Sequence, residues 1–183
     1  MSHRAFALEP YPGLPAPSAV RVSGTAWRDG ATLELTWQLE GPEASFSVPA
    51  TAENPKRTGD LWEQTCFEVF LAVPDRPGYR EFNLSPAGHW NVFRFASYRS
   101  GMEEEEAFAA LPFSVSSQLG VCSVSARIDT TRLGCGMDPW LLAIATVVAE
   151  PEGRLSYWAL SHPGQQPDFH HAGAFVLHLA PSE

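Results

Sequence analysis

The sequence predicts an all-β protein of the sandwich or barrel type, and three observations favour this fold class. Apolar and polar residues alternate with a period of two along most segments, which is the pattern of strands with one buried face. The 16 prolines and 14 glycines divide the chain into short segments with turn residues between them. Hydrophobic residues make up 44% of the 183 positions, enough for a sizeable core. We therefore expect residues 1–183 to form a single domain.

The alternation identifies the individual strands. In ATLELTWQLE (31–40), three leucines and a tryptophan occupy one face and polar residues the other. The segment WLLAIATVVA (140–149) is apolar on both faces, which is typical of a central strand. A short helix is expected only at residues 103–110, where the glutamates would suit a helix N-terminus. Further strands are expected in TCFEVFL (65–71), REFNLS (80–85), NVFRF (91–95), VCSVSARI (121–128), LSYWALS (155–161) and FVLHL (175–179).

Residues 65–72, 79–85 and 90–96 are expected to form three consecutive strands joined by hairpins. The sequences between them, PDRPG and PAGH, have the composition of turns. A four-residue turn at PAGH would place Glu81 opposite Arg94, close enough for the two side chains to interact. This register gives a wholly apolar core face, composed of Phe67, Val69, Leu71, Phe82, Leu84, Phe93 and Phe95.

The opposite face of these hairpins carries polar groups beside aromatic rings. Carboxylates, an amide and an arginine next to exposed rings are the groups with which proteins hold sugars, because rings stack on the sugar and polar groups bond its hydroxyls. An ordinary solvent-facing sheet surface is the alternative. The main members of this face are Cys66, Glu68, Phe70, Tyr79, Glu81, Asn83, Ser85, Trp90, Val92 and Arg94.

The segment 156–175 collects aromatic, histidine and aspartate side chains around a proline-rich loop. Histidines and an aspartate can bind Zn or Fe(II), but their spacing matches no common metal motif, so we predict no metal site. A heme iron held by Met102 together with His162 or His170 is a further alternative, although no cofactor is predicted. The side chains in question are Trp158, His162, Asp168, Phe169, His170 and His171.

Charge and cysteine content limit the partners and the compartment. The net charge of −9 and the 12 basic residues argue against nucleic acid as a partner. The odd number of cysteines, Cys66, Cys122 and Cys135, predicts free thiols in a cytoplasmic protein. The N-terminal residues MSHRAFALEPYPG lack the apolar segment of a signal peptide, and no apolar run is long enough to span a bilayer, so no membrane partner is expected.

Three runs of sequence resemble the bacterial DOMON-like (type 2) proteins, which are related to the family 9 carbohydrate-binding modules. These runs are GDLWEQTCFEVF, YREFNLSPAGHWNVFRFASYRSGM, and SYWALSHP with PDFHHAGAF. The resemblance covers residues 57–102 and 156–177, and it implies a two-sheet antiparallel β-sandwich with jelly-roll or immunoglobulin-like topology. It also implies a sugar or heme ligand. By similarity, Trp62 and Trp158 would stack on a sugar and Glu68 would bond its hydroxyls.

These observations predict a small-molecule binding module whose ligand is a carbohydrate or polyol. We expect the loops RTGDLWE and SHPGQQPDFHH to meet at one edge of the sandwich and to form a pocket. The alternative is that Trp62 and Trp158 fill the core. The candidate ligand-binding residues are Arg57, Trp62, Glu68, Glu81, Asn83, Trp90, Arg94, Trp158, His162, Asp168 and His170.

Two other functions remain open at this stage. The first is a b-type heme-binding or redox domain, and the second is an enzyme such as a glycosidase that uses Glu68 and Glu81. We expect no enzyme, because the sequence contains no nucleophile elbow, P-loop or dinucleotide turn. In addition, Arg94 opposite Glu81 would hold that carboxylate ionised, which is unsuitable for a general acid.

Overall fold

The computed structural model describes residues 2–181 and consists of strands with a few short 3₁₀ turns. No helix in this range is long and apolar enough to cross a membrane. The 3₁₀ turns are Glu43–Ser45, Leu61–Glu63, Thr130–Leu133 and Ala172–Ala174. The strands are β1 (Ser2–Pro10), β2 (Arg21–Asp29), β3 (Thr32–Glu40), β4 (Cys66–Ala72), β5 (Tyr79–Leu84), β6 (Trp90–Phe95), β7 (Glu103–Glu104), β8 (Phe113–Gln118), β9 (Val121–Asp129), β10 (Trp140–Ala149), β11 (Leu155–Ala159) and β12 (Leu177–Leu179).

The strands form one curled antiparallel sheet in the order β7-β6-β5-β4-β10-β11-β1-β2-β3-β9-β8, and β12 also pairs with β10. This arrangement confirms the all-β prediction and all the strand segments proposed from the sequence. The prediction of two separate sheets differs from the structure, in which hydrogen-bonded neighbours follow one continuous path. The path is continuous because β1 pairs with β2 along most of its length and with β11 at Glu9 and Pro10.

The sheet curls so that its first and second halves pack against each other, and the main core lies between them. Trp37 of β3 contacts Phe67 of β4, with ring centroids 6.0 Å apart. A second apolar cluster lies on the other face of β4 and β10, where Phe70 contacts Phe169 at 6.4 Å between ring centroids. Phe169 belongs to the loop between β11 and β12. Strand β4 is therefore buried on both of its faces.

The pairing of β4 with β5 confirms the faces predicted for these two strands. Glu68 lies opposite Asn83, and both point away from the main core that contains Phe67 and Phe82. The pairing of β5 with β6 corrects the predicted register, because Glu81 lies opposite Phe93 instead of Arg94.

The length of the loop between β5 and β6 explains why the observed register differs from the predicted one. The loop has five residues, 85–89, and is closed by a hydrogen bond from the Ser85 amide to the His89 carbonyl (2.9 Å). Gly88 allows this turn because its φ of 92° lies in the left-handed region that favours glycine. A shift of one residue exchanges the faces of a strand. Trp90, Val92 and Arg94 therefore take the face of the main core, whereas Asn91, Phe93 and Phe95 take the face of Glu68.

The helix predicted at residues 103–110 is replaced by the short strand β7 and an irregular segment. Tertiary contacts outweigh the local preference here. Glu103 forms an ion pair with Arg94, and Glu105 forms one with Arg80 at 2.5 Å. Phe108 then enters the main core, where it contacts Phe82.

The three cysteines, Cys66, Cys122 and Cys135, are buried free thiols, as the sequence predicted. Arg28 is also buried, with 1% of its surface exposed. Its guanidinium lies 3.7 Å from the ring centroid of Trp140. It donates hydrogen bonds to four backbone carbonyl oxygens, those of Gly30, Gly136, Asp138 and Leu179.

We predict that Arg28→Met lowers the free energy of unfolding by about 3 kcal/mol, because buried carbonyl groups lose their donors. Urea denaturation followed by circular dichroism measures the change. Arg127→Met is the control, because Arg127 is 70% exposed and its ion pair with Glu34 lies at the surface. Equal stability losses in the two variants would contradict the role given to Arg28.

Candidate functional site

A pocket of about 530 Å³ lies on the face of β4, β5 and β10 that points away from the main core. Its walls are formed partly by aromatic and aliphatic side chains, namely Trp62, Phe95, Met102, Val147, Leu155, Tyr157, Pro167 and Phe169. Its polar members are Glu63, Glu68, Glu81, Arg99 and His170.

The two loops that were predicted to meet do line this pocket together. Trp62 comes from the first loop, within the 3₁₀ turn Leu61–Glu63, and its ring lies 6.0 Å from that of Phe93. Phe169 and His170 come from the second loop. The pocket is thus closed by segments that are more than one hundred residues apart in sequence.

Two buried carboxyl groups form the floor of the pocket. Glu68 and Glu81 are 3% and 4% exposed, and they are diagonal neighbours on adjacent strands. The Asn83 side-chain amide donates to Glu81 Oε1 at 2.8 Å, and His170 Nε2 lies 3.9 Å from Glu81 Oε2. Glu68 Oε1 is buried without a hydrogen-bond partner among residues 2–181.

Burial decides the protonation of this pair. Burial, followed by the nearby charge of Glu81, raises the pKa of Glu68 well above its usual value. Burial also raises the pKa of Glu81 to about 7, although the Asn83 hydrogen bond and the Arg99 charge act to lower it. The pair therefore retains at least one proton near neutral pH, so that it can both donate and accept hydrogen bonds.

His170 is neutral at the same pH. Burial, followed by the charge of Arg99, lowers the pKa of His170 to about 4. Its Nδ1 lies 2.8 Å from the Tyr79 hydroxyl, and its ring contacts Phe70 and Phe95 with centroids 5.0 and 5.1 Å apart. His170 is therefore held in place by contacts on several sides.

Arg99 contributes the positive charge on the pocket wall, and that charge is already paired. Its guanidinium donates to Asp168 Oδ1 at 2.8 Å, and the Tyr98 hydroxyl donates to Asp168 Oδ2 at 2.6 Å. Asp168 also accepts a hydrogen bond from the backbone amide of His170 at 3.1 Å. Asp168 therefore orients both Arg99 and the loop that carries His170.

The structure brings together some of the residues proposed from the sequence. Trp62, Glu68, Glu81 and His170 line the pocket directly. Asn83 and Asp168 support it, Asn83 through its hydrogen bond to Glu81 and Asp168 through its ion pair with Arg99. The remaining candidates lie elsewhere: Arg57, Trp90, Arg94, Trp158 and His162.

The sequence-based prediction wrongly placed Trp90 and Trp158 among the ligand-binding residues. Trp158 is 4% exposed in the main core, and its indole N–H donates to Ser156 Oγ at 3.0 Å. Tyr157, on the opposite face of β11, lines the pocket instead. Trp90 lies in the main core because of the register of β6, and the Arg57 guanidinium covers its ring at 4.6 Å from the centroid.

The predicted cationic residues are held by other partners. Arg57 donates to the backbone carbonyls of Glu105 and Phe108, so it anchors the segment after β7. Arg94 is engaged by Glu103 at the edge of the sheet. His162 Nε2 lies 2.8 Å from the Glu9 carbonyl oxygen, outside the pocket.

The sequence-based prediction omitted several lining residues. Arg99 has no sequence signal, because its position follows from the turn after β6, where its φ is 50°. For Tyr157 and Leu155 a signal did exist, since the alternation of LSYWALS places them on the face opposite Trp158. No cluster of three or more metal-ligating side chains occurs in the described part of the chain. The other omitted residues are Glu63, Phe95, Met102, Val147, Pro167 and Phe169.

We predict that Glu68 contributes a loss of stability as the pH rises above about 4.5, so that the stability of Glu68→Gln falls less, or rises more, with pH than that of the wild type. A carboxyl group whose pKa is raised by folding stabilises the folded state below its unfolded pKa, and that contribution is lost as the pH rises through the folded pKa. Each group contributes a slope of up to about 1.4 kcal/mol per pH unit. Urea denaturation of the wild type and of Glu68→Gln between about pH 4.5 and 8 measures the pH dependence of stability. Parallel pH profiles of the two proteins would contradict a raised pKa of Glu68.

No family model matches this sequence, and no curated protein matches it. Among solved structures, a proposed carbohydrate-binding protein from Bacteroides uniformis is similar in fold, with a TM-score of 0.69 and 14% identity over 95% of this chain and 84% of that chain. A family 9 carbohydrate-binding module from Caldicellulosiruptor kristjanssonii, in complex with cellotriose, has a TM-score of 0.47 and 11% identity over 79% and 67% of the two chains. The structure of such a module from the same organism in complex with glucose has a TM-score of 0.43 and 12% identity, over 84% of this chain and 74% of that chain. The first comparison establishes the likeness of fold.

Proposed function

We propose that this protein binds a small molecule, a carbohydrate or related polyol, in the pocket beside β4 and β5. The observation that carries the proposal is the combination of aromatic walls with a buried polar floor. The rings of Trp62, Tyr157 and Phe169 line the pocket together with the carboxyl groups of Glu68 and Glu81. Rings stack on the apolar faces of sugars, while carboxyl groups bond the hydroxyls.

The protonation of the floor suits a hydroxylated ligand. A hydroxyl both donates and accepts, and a carboxyl pair that retains a proton offers both kinds of partner. The volume of about 530 Å³ lies within the range of small-molecule pockets. The fold likeness to a proposed carbohydrate-binding protein supports the same ligand class.

Our proposal includes a DOMON-like affiliation, a jelly-roll-like arrangement and a cytoplasmic location.

A heme ligand is less compatible with the positions of the side chains. Met102 and His170 both line the pocket, as a methionine–histidine ligand pair requires. However, His170 Nδ1 is engaged by the Tyr79 hydroxyl at 2.8 Å, and Nε2 lies 3.9 Å from Glu81 Oε2, so an iron bound to Nε2 would lie beside the buried carboxyl pair. An absorption spectrum of protein purified with heme supplied distinguishes the two ligands.

We propose binding without catalysis, for a reason that differs from the one drawn from the sequence. Arg94 lies on the other face and does not hold Glu81 ionised, so that earlier argument was wrong. A different observation supports binding, since the fold is similar to that of a proposed carbohydrate-binding protein.

We predict that Trp62→Ala weakens sugar binding by about tenfold or more and costs less stability than the loss of a core ring, because Trp62 is a partly buried side chain that lines the pocket. The matched control is Trp158→Ala, which should cost about 3–5 kcal/mol of stability because that ring fills the main core. A glycan array identifies the ligand for the wild type. Calorimetric titration and thermal melts then compare the variants.

Two results would overturn the proposal. One is a folded wild-type protein that binds no sugar on the array. The other is unchanged sugar affinity in folded Trp62→Ala, because this would place the ligand outside the pocket.

A further inference from the structure

We propose that the sugar bound in this pocket carries a protonated amino group, and that this group contacts Glu68. The inference rests on the proposed function, since it specifies the class of sugar for the same pocket. Three features of the site support it: an unpartnered oxygen of a carboxyl group, the lack of an available cation among the described lining residues, and the aromatic rings around the pocket.

The first feature is the unpartnered oxygen of Glu68. Glu68 lines the pocket with only 3% of its surface exposed, and its Oε1 has no hydrogen-bond partner within residues 2–181. The Asn83 side chain on the neighbouring strand donates to Glu81 at 2.8 Å. Leaving a buried acceptor unpaired is unfavourable, so a ligand that brings donors to this point gains binding energy. A protonated amine brings three N–H donors and a positive charge.

The second feature is the balance of charge around Glu68. Among the described residues, Arg99 is the one permanently cationic side chain in the lining, and Asp168 already pairs with it at 2.8 Å. His170 is neutral near pH 7, and Glu63 adds a further negative charge at the exposed rim. This balance favours a cationic ligand and disfavours a sugar acid. The titratable groups around Glu68 are Glu63, Cys66, Glu81, Arg99, Tyr157 and His170.

The third feature is the set of aromatic rings. Trp62, Phe95, Tyr157 and Phe169 line the same pocket. The face of an aromatic ring attracts a cation through its quadrupole, most strongly where water is excluded. The same rings can stack on the sugar itself. An amino sugar uses both properties, whereas a neutral sugar leaves the acidic floor without a cation.

Binding of such a ligand changes the protonation of the protein. The Glu68 carboxyl group gives up its proton to solvent, and the resulting carboxylate forms an ion pair with the ammonium group. No covalent bond of the ligand is made or broken. A neutral sugar hydrogen-bonds to the protonated carboxyl group, so its binding releases no proton. Proton release is therefore a readout that does not depend on affinity alone.

The experiment is calorimetric titration of the wild type with matched pairs of sugars: glucosamine and glucose, galactosamine and galactose, and mannosamine and mannose. At about pH 6.5 a primary amine is protonated. Phosphate and MES serve as buffers of different ionisation enthalpy, and Tris is avoided because it is itself a primary amine. We expect at least one amino sugar to bind about tenfold more tightly than its neutral counterpart, with proton release. The N-acetyl derivative, which keeps the nitrogen without its charge, should behave like the neutral sugar.

Glu68→Gln tests the position of the amine. This variant should bind the amino sugar no more tightly than the neutral one, and its binding should release no proton. Glu34→Gln is the matched control, because Glu34 lies on β3 and pairs with Arg127, away from the pocket. Circular dichroism verifies that both variants are folded, and the buffer comparison on the wild type requires no variant.

The outcomes separate the two proposals. If neutral sugars bind and no amino sugar exceeds its counterpart, the amino-sugar inference fails and carbohydrate binding stands. If the preference and the proton release persist in Glu68→Gln, the amine does not contact Glu68 and the inference also fails. If the folded wild type binds no sugar of any pair or on the array, the proposed function itself fails.

Discussion

Strand β4 is covered on both of its faces, and the chemistry of the pocket depends on this double burial. One face places Phe67 and Val69 in the main core, and the other places Cys66, Glu68 and Phe70 beneath the loop that carries Phe169. Little water reaches a carboxyl group in such a position. Burial therefore raises the pKa of Glu68 well above its usual value, because it disfavours the charged form.

The neighbouring polar groups are arranged in pairs that leave Glu68 out. Asn83 bonds to Glu81, and Asp168 bonds to Arg99. A buried polar group with no partner is rare in folded proteins, since it costs free energy in the absence of ligand. The floor of the pocket is thus polar but incompletely satisfied, and this is the property that both proposals use.

The arginines Arg57, Arg80 and Arg94, in and next to the central hairpins, stabilise the fold and do not line the pocket. Glu103 and Glu105 lie in an acidic run that pairs with Arg94 and Arg80, and carbonyl groups of the same segment accept hydrogen bonds from Arg57. These contacts attach residues 103–108 to the edge of the sheet and bring Phe108 into the main core. An acidic run that would suit a helix N-terminus in isolation becomes an irregular segment, because its partners lie on other strands.

The sequence by itself determined the strand content and the faces of β4 and β5. These features follow from alternation and turn composition, which are local properties of the chain. Tertiary structure decided the rest. One extra residue in the loop 85–89 reversed the faces of β6 and moved Trp90 into the main core. Trp62 became a wall of the pocket and Trp158 part of the core. Which loop covers a strand, and which residue lines a cavity, depends on contacts between distant segments, and a local pattern does not contain that information.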